Sequence, residues 1–375
     1  MTNLENRLAQ LRQAVEDPRS QLEHYLSQGE KVVGCFAVYT PEELVHAAGA
    51  VPMGIWGAQT ELKLAKSYLP AFACPIMQSS LELGLRGSYR GLSCVIIPTL
   101  CDTFRCITQN WKEGVASIPM IAITYPQNRT FAGSTEFLLS EYEHVLDRLR
   151  EFAGLSVTEE SLAETIEVYN EHNAVMREFA AVANDHLDVI TAGVRHVVMK
   201  SALFYEKGEH TALVREIVEE LKALPVYPYR GRRVVLTGIT AEPGAFLDIL
   251  TENGLAVVGD DLAQESRQFR TDTPVTGGPA LRRLALQWST RYADCLAHED
   301  NKQRGELLIG MCKDTGATGV IACMMKFCDP EEYDFPIYQR ALKKEHIPTL
   351  FVEIDQQNEG YEQARTRIQT FAEMI

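Results

Sequence analysis

The sequence is dominated by an alternation of apolar runs of strand length with helical stretches, and this alternation occurs twice along the chain. In the first half the strand-length runs are KVVGCFAVY, VPMGIWG, SCVIIPT and PMIAITYP. In the second half they are RVVLTGI, LAVVGDD, GVIACMM and IPTLFVEID. Strands that alternate with helices across short connections form parallel sheets, which helices cover on both faces. The pattern therefore predicts an α/β fold with two doubly wound parallel sheets.

The 375 residues divide into three parts, with a Pro- and Gly-punctuated boundary at PVYPYRGR. Residues 1–154 are predicted to form an amphipathic helix, over residues 1–28, followed by the first α/β domain. Residues 155–225 carry almost no strand signal and are predicted to be a helical connector. Residues 226–375 are predicted to form the second α/β domain. Two domains of this Rossmann-like or flavodoxin-like type leave a cleft between the carboxyl ends of their sheets, where ligands commonly bind.

Charge and hydrophobicity exclude several kinds of partner. The chain has 36 Lys and Arg against 51 Asp and Glu, so its net charge is −15. A broad surface for phosphate backbones would work against this field, and nucleic acid is not an expected partner. No stretch approaches about 18 consecutive apolar residues and the N-terminal segment is polar, so neither a membrane span nor a signal peptide is expected. These features predict a soluble, cytoplasmic protein.

The nine cysteines are the residues most indicative of chemistry. An odd number in a reducing compartment argues against a disulfide framework and favours a mixture of core thiols with metal or redox ligands. Four of them lie within apolar strand runs or amphipathic helices and are interpreted as structural: Cys35, Cys94, Cys295 and Cys312.

Three other cysteines share one setting. Cys74, Cys101 and Cys328 each lie at a predicted strand-to-helix turn, where helix N-terminal amides lower the pKa of a thiol. Three thiolates at the carboxyl ends of strands can converge in the cleft, and thiolates suit zinc or an iron–sulfur cluster. Zinc usually shows tight C-x₂-C pairs, which are absent here, so ligands dispersed over two domains favour a cluster. Cys106 and Cys323 are left open as a fourth ligand.

Two related segments, YTPEEL and CDPEEY, begin predicted helices after a strand. Each places a capping residue, a Pro and a Glu in the same order: Thr40, Pro41 and Glu43 in the first, and Asp329, Pro330 and Glu332 in the second. The two glutamates are either members of capping boxes or carboxylates that face the cleft. In DDLAQESRQFR, the polar side chains either point into the cleft or a subunit interface, or are exposed helix charges: Gln264, Glu265, Arg267, Gln268 and Arg270.

Several long strings resemble a known family in the same order along the chain. They are GCFAVYTPEELVHAAGAVPMGIWGAQTEL, FACPIMQSSLELG, IIPTLCDTFRCITQNWK, VVGDDLAQESRQFRTD, CMMKFCDPEEYD and FVEIDQQ followed by QARTRIQTFAEMI. From about residue 30 to the C-terminus the chain is similar to the smaller, beta subunit of the 2-hydroxyacyl-CoA dehydratases. The likeness is greatest to the (R)-2-hydroxyisocaproyl-CoA and phenyllactyl-CoA enzymes.

The resemblance implies a function and a cofactor. In this family the beta subunit pairs with a larger, homologous alpha subunit, and each holds a 4Fe-4S cluster through three cysteines, which correspond here to Cys74, Cys101 and Cys328. A separate ATP-hydrolysing activator injects one electron, and the beta subunit relays it to the 2-hydroxyacyl-CoA held mainly by the alpha subunit. The resulting ketyl radical anion expels the 2-hydroxyl group and loses a β-proton, and return of the electron then gives the (E)-2-enoyl-CoA, a hydro-lyase reaction. No residue of this chain is assigned to catalysis itself.

Two other functions remain as alternatives. A subunit of a benzoyl-CoA-reductase-like enzyme would share the architecture and would reduce its substrate. A two-lobed small-molecule binding protein with hinge closure would share the two α/β domains. The segments GAVPMG and GLAVVG lack the spacing of nucleotide-binding loops, so ATP hydrolysis is expected in another protein.

Overall fold

The computed structural model describes residues 2–298, 301–357 and 360–375, and its strands form two parallel sheets of four strands each. The strands are β1 (Val32–Phe36), β2 (Val51–Ile55), β3 (Cys94–Pro98), β4 (Met120–Ile123), β5 (Arg232–Gly238), β6 (Leu255–Leu262), β7 (Gly319–Met325) and β8 (Thr349–Ile354). The first sheet has the order β2-β1-β3-β4 and the second the order β6-β5-β7-β8. The same strand order in both halves confirms the predicted pair of doubly wound α/β units.

Helices lie between the strands, as the alternation predicts. They are α1 (Asn3–Glu16), α2 (Pro18–Ser27), α3 (Glu42–Ala47), α4 (Pro75–Leu85), α5 (Asp102–Gly114), α6 (Ser134–Ala153), α7 (Glu159–Val182), α8 (Ala192–Ser201), α9 (Lys207–Ala223), α10 (Gly244–Glu252), α11 (Ala280–Thr290), α12 (Arg304–Thr315), α13 (Asp329–Lys344) and α14 (Glu362–Met374). Within the described part of the chain, no helix combines the length and the hydrophobicity that crossing a membrane requires.

The strands are buried on both faces because helices cover both sides of each sheet. Every residue of β1, β2, β3 and β7 is buried, so these strands are continuous apolar runs without an exposed face. Gly34 lies in β1, where a Cβ atom would come within 2.8 Å of side chains from Ile55, Leu92 and Val95. The absence of a side chain at this position lets the surrounding core pack against the strand.

The N-terminal segment differs from the single helix predicted over residues 1–28. It forms two helices, because Pro18 has no N–H to continue α1 and instead occupies the first position of α2. The Asp17 side chain between them accepts a hydrogen bond from the Ser20 amide at 3.1 Å and caps the second helix. The first of these helices packs against α8 and α9.

Helices α7, α8 and α9 occupy the segment predicted to be a helical connector, and none of residues 155–225, all of them described, is in a strand. Helix α7 contacts both halves of the chain. Tyr169 donates to a Glu42 carboxylate oxygen at 3.4 Å on the first-sheet side. Asn170 exchanges two hydrogen bonds of 2.8 Å with the backbone of Thr273 on the second-sheet side. The connector thus links the loops of both units; the boundaries at residues 154 and 225 stay predictions.

Two buried histidines lie inside this helical region. His172 of α7 and His210 of α9 share a ring-to-ring hydrogen bond of 3.0 Å, and His210 also bonds the Ser201 hydroxyl at 2.9 Å. Burial lowers the pKa of His210 to about 3 and that of His172 well below its usual range, and the Lys207 ammonium adds to both effects. Both imidazoles are therefore neutral in the folded protein at neutral pH.

This neutral pair predicts acid sensitivity with a defined sign. In the unfolded chain, His210 is protonated below the ordinary histidine pKa of about 6.5. In the folded chain it stays neutral down to about pH 3. The unfolded state therefore binds more protons, and the free energy of unfolding falls as the pH falls. For His210 we expect a loss of about 1 to 2 kcal/mol between pH 6.5 and 5. Urea denaturation across this range measures it. His210→Gln should show a smaller acid loss, whereas His144→Gln, at an exposed position, should match the parent; equal losses in all three would contradict the assignment.

Candidate functional site

Cys74, Cys101 and Cys328 each occupy the N-cap of a helix: α4, α5 and α13 respectively. Cys101 and Cys328 lie at strand-to-helix turns, as predicted. For Cys74 this prediction is wrong, because β2 ends at Ile55 and a long loop precedes α4. None of the three side chains makes a capping hydrogen bond. Instead, backbone amides of the first helical turn favour a charged sulfur, among them those of Met77 for Cys74 and Phe104 for Cys101. Each thiol therefore lies at the positive end of a helix dipole.

The three thiols interact electrostatically with one another. Burial raises the pKa of Cys74 to about 12, and the Cys101 sulfur adds to this rise. Burial likewise raises the pKa of Cys328 well above its ordinary value, with further contributions from Glu331, Cys74 and Cys101. Sulfurs from both α/β units thus face a common region.

The predicted lowering of these thiol pKa values is wrong for the free thiols. Helix N-terminal amides do lower the pKa of Cys101, but burial outweighs them and the net change is upward. A thiol in a desolvated site keeps its proton until another positive group replaces it. These are conditions in which a metal centre, rather than a free thiolate, neutralises the sulfur charge.

Among residues 2–298, 301–357 and 360–375, no group of three His, Cys, Asp or Glu side chains is gathered closely enough to hold a metal ion. A structural zinc site requires four ligands around one ion at bond lengths near 2.0 to 2.3 Å. The zinc alternative suggested by thiolate chemistry therefore has no preformed site in the described chain. Thiols that bind separate irons of a cluster need not converge on a single atom.

The two possible fourth ligands lie in different settings. Cys106 is an exposed residue of α5 and lines a cavity of about 280 Å³ together with Phe72 and Phe327. Cys323 is fully buried inside β7, and burial together with Glu265 raises the pKa of its thiol well above the ordinary range. Neither residue begins a helix, so neither shares the amide environment of the three N-cap thiols.

Of the four cysteines interpreted as structural, three are buried core residues: Cys35, Cys94 and Cys312. Cys295 is different, because it lies in the loop after α11 rather than in the predicted helix. Helix α11 ends at Thr290, and Ala293 has a φ of 55°, a left-handed conformation that does not continue a helix. The Cys295 thiol donates to a Glu331 carboxylate oxygen at 3.0 Å.

A buried network of charged side chains lies behind Cys328. Glu331, in the first turn of α13, is paired with Arg304 at 3.0 Å and lies 3.5 Å from Arg267. Asp261 binds both of these arginines, at 2.8 Å for Arg304 and 3.1 Å for Arg267. Burial opposes the Asp261 charge, yet the guanidinium groups around it hold its pKa well below the usual range. We call Asp261, Arg267, Asp294, Arg304 and Glu331 the buried ion network.

The sequence only partly indicated this network. The sequence leaves Arg267 of DDLAQESRQFR open between the cleft, an interface and an exposed helix face, and the structure places it fully buried. Arg304 and Glu331 were missed, because a charged residue near the start of a predicted amphipathic helix normally indicates a solvated face. Only the tertiary structure brings their opposite charges together.

The capping boxes suggested by YTPEEL and CDPEEY are not formed. Helix α3 has Pro41 at its N-cap, and the Thr40 hydroxyl donates to the Phe36 carbonyl at 2.6 Å instead of capping. Helix α13 is preceded by Cys328 rather than capped by Asp329, and Glu332 is exposed. Glu43 is buried and lines a cavity. Glu43 is therefore not a capping residue, and its carboxyl group faces a cavity instead.

Comparison with known proteins gives a consistent family. The sequence model described as 2-hydroxyglutaryl-CoA dehydratase, D-component, matches residues 37–375. The chain is 44% identical to the lactoyl-CoA dehydratase subunit beta of Anaerotignum propionicum and 43% identical to the (R)-phenyllactyl-CoA dehydratase beta subunit of Clostridium sporogenes, each over the full length of both chains. It is 39% identical to the (R)-2-hydroxyglutaryl-CoA dehydratase subunit beta of Acidaminococcus fermentans, over 96% of each chain.

The buried ion network predicts a large effect of removing one arginine. Arg304→Met leaves the carboxylates of Asp261 and Glu331 buried with less compensation, and we expect it to lower the free energy of unfolding by about 3 to 5 kcal/mol. Arg282→Met is the matched control, because Arg282 pairs with Glu136 on the surface, where an ion pair adds little to the free energy of unfolding. Chemical denaturation measures both. Equal, small effects would show that the network does not stabilise the fold.

Proposed function

The chain belongs to the family of the 2-hydroxyglutaryl-CoA dehydratase D-component, and from this membership we propose that it is the iron–sulfur beta subunit of a 2-hydroxyacyl-CoA dehydratase. In this proposal Cys74, Cys101 and Cys328 hold a 4Fe-4S cluster. The subunit receives one electron from an ATP-hydrolysing activator and passes it to the substrate-bearing alpha subunit. The overall reaction is the loss of water from a 2-hydroxyacyl-CoA to give the (E)-2-enoyl-CoA.

The observation that carries the proposal is the common setting of the three thiols. Each begins a helix, each leaves its capping position without a side-chain hydrogen bond, and two come from the first α/β unit and one from the second. Thiolates are the usual ligands of 4Fe-4S clusters, and three of them leave one iron for a ligand from outside the chain. The donor set and its desolvated surroundings fit such a cluster.

When bound, the cluster would supply one-electron transfer. The chain's own residues would then control its charge and its exposure to water. Amides at the N-termini of α4, α5 and α13 favour negative charge at the sulfurs. Behind Cys328, the arginines of the buried ion network offset the nearby Glu331 carboxylate. Hydrogen bonds, net charge and burial are the features that set the reduction potential of an iron–sulfur centre.

Two observations support the proposed roles of the separate subunits: the names of the relatives, and the lack of a nucleotide-binding motif in this sequence. Three relatives are beta subunits by name, which implies a partner subunit. The sequence has no loop with the spacing of a phosphate-binding motif, which supports a separate protein for ATP hydrolysis. Their named substrates, lactoyl-CoA, phenyllactyl-CoA and 2-hydroxyglutaryl-CoA, share the 2-hydroxyacyl thioester. We infer that this shared group is the substrate class, and that the alpha subunit selects the acyl chain.

The ligand set is tested by metal analysis of anaerobically purified protein. The parent chain should be brown and contain about four iron and four acid-labile sulfide. Cys74→Ser, Cys101→Ser and Cys328→Ser should each lose the visible absorption, because each removes a thiolate. Cys312→Ser, in the core of α12, and Cys106→Ser, at the exposed position, should retain it. A full cluster in Cys328→Ser, or stoichiometric zinc without iron, would refute the assignment.

The reaction is tested by reconstitution with the alpha subunit and the activator under anaerobic conditions. We expect conversion of a (R)-2-hydroxyacyl-CoA to its enoyl-CoA, followed by mass spectrometry, only when the activator and ATP are both present. Chain carrying Cys101→Ser should give no product although it still binds the alpha subunit. A reduced acyl-CoA in place of the enoyl-CoA would instead support the benzoyl-CoA-reductase-like alternative.

A further inference from the structure

A polar cavity of about 80 Å³ lies at the carboxyl edge of the first sheet and shares no lining residue with the three N-cap thiols. Residues following β1 and β4 form one side, and helices α7, α9 and α11 close the others. Its walls combine charged groups with aromatic rings: Tyr39, Glu42, Glu43, Tyr125, Lys207, Trp288 and Arg291 are among them. A partly open cavity with this lining is suited to a small polar ligand that also has an apolar part.

Arg291 is the unsatisfied cation of this cavity. The Nε atom of its guanidinium group is buried and has no hydrogen-bond partner within the described part of the chain. The group instead lies over the Tyr39 ring, 4.0 Å from the ring centre, and 5.8 Å from the centre of the Trp288 ring. Asp294, the nearby carboxylate, is already bonded to the Tyr39 hydroxyl and to Arg267. A buried guanidinium nitrogen without an acceptor leaves hydrogen-bonding capacity for a ligand.

Glu43 is the second group of this cavity that is available to a ligand. It forms no capping box, whereas its neighbour Glu42 is paired with Lys207 at 2.9 Å. Burial raises the pKa of Glu43 to about 7, with a further rise from Glu42 and opposing contributions from Arg291 and Lys207. Near neutral pH a large share of the molecules therefore carries a protonated Glu43, which can donate a hydrogen bond.

We propose that this cavity binds a short-chain carboxylate, with the Arg291 guanidinium and the Glu43 carboxyl group as its two polar partners. A guanidinium presents paired N–H donors that match the two oxygens of a carboxylate. The rings of Tyr125 and Trp288, whose centres are 4.4 Å apart, offer an apolar wall for the ligand's carbon chain. The ligand is thus recognised by its acid group and limited by the size of the space.

Charge and volume narrow the ligand class. A phosphate dianion would meet the Glu42 carboxylate and an ionisable Glu43, so a monoanion is favoured. A cavity of about 150 Å³ holds benzene, and the present partly open one has about half that volume, so the space inside it fits a group of roughly the size of acetate or propionate.

The site is tested by calorimetric titration of the full-length chain, with any associated subunit left in place, using propionate as the probe and inorganic phosphate for comparison. We expect roughly millimolar affinity for propionate, as befits so small a ligand, and weaker binding of phosphate. Arg291→Met should weaken propionate binding about tenfold or more. Arg291→Lys keeps the positive charge but loses the paired N–H donors of the guanidinium group, so its affinity for propionate should be intermediate. Arg282→Met, on the surface, should bind like the parent.

The pH dependence supplies an independent measurement. The other titratable and charged groups that line the same cavity as Glu43 are Tyr39, Glu42, Tyr125, Tyr142, Tyr169, His172, Lys207 and Arg291. Because the bound anion favours the protonated carboxyl group, propionate affinity should fall about tenfold from pH 6 to 8. Glu43→Gln donates at every pH, so it should bind with a flat profile. The proposal would be overturned if propionate did not bind, or if Arg291→Met bound it as tightly as the parent. It would also be overturned if the affinity of Glu43→Gln depended on pH as the affinity of the parent does.

Discussion

The burial of several charges behind α13 is the constraint on which the rest of the structure depends. Removing charged side chains from water is costly unless each finds opposite charges and hydrogen bonds in the interior. Arg267 meets this requirement by binding Asp261, Asp294 and the carbonyl oxygen of Gly238 at the end of β5. Asp294 also accepts a hydrogen bond from the hydroxyl of Tyr39, which follows β1 of the first sheet. One set of charges thereby joins the loops of both sheets and fixes the first turn of the helix that Cys328 precedes.

The repeated topology explains how thiols that are far apart in sequence face one region. Both sheets have the same strand order, and loops that follow their carboxyl ends contact each other. Thr60, after β2, donates its amide to the side chain of Gln357, after β8, at 2.9 Å. Cys74 and Cys328, at the starts of α4 and α13, influence each other electrostatically. Doubly wound sheets place helix N-termini at this edge, so two such sheets can contribute several helix dipoles to one site.

Opposing forces on the thiols give the proposed site its character. Helix amides favour thiolates, whereas desolvation favours protonated thiols, and desolvation is the larger effect at Cys74, Cys101 and Cys328. Such thiols resist ionisation on their own and become ligands when a cation compensates their charge. The cavity at Glu43 and Arg291 shows a related balance between burial and charge. In that cavity the charged groups do not all pair with one another, so hydrogen-bonding capacity remains for a ligand.

The sequence by itself determined the two parallel sheets, the helical segment between them and the position of three thiols at helix starts. These features follow from local signals: apolar periodicity for the sheets and helices, a proline directly after Cys74, and a short distance from strand to helix at Cys101 and Cys328. Pro18 is a local signal that the prediction of one helix over residues 1–28 did not use, and in the structure it begins a second helix. The pairing of Arg304 with Glu331, the loop position of Cys295 and the cavity at Glu43 were decided only by the tertiary structure. In sequence, a buried charge looks the same as a solvated one, because its partner lies on another element and only folding brings the two together.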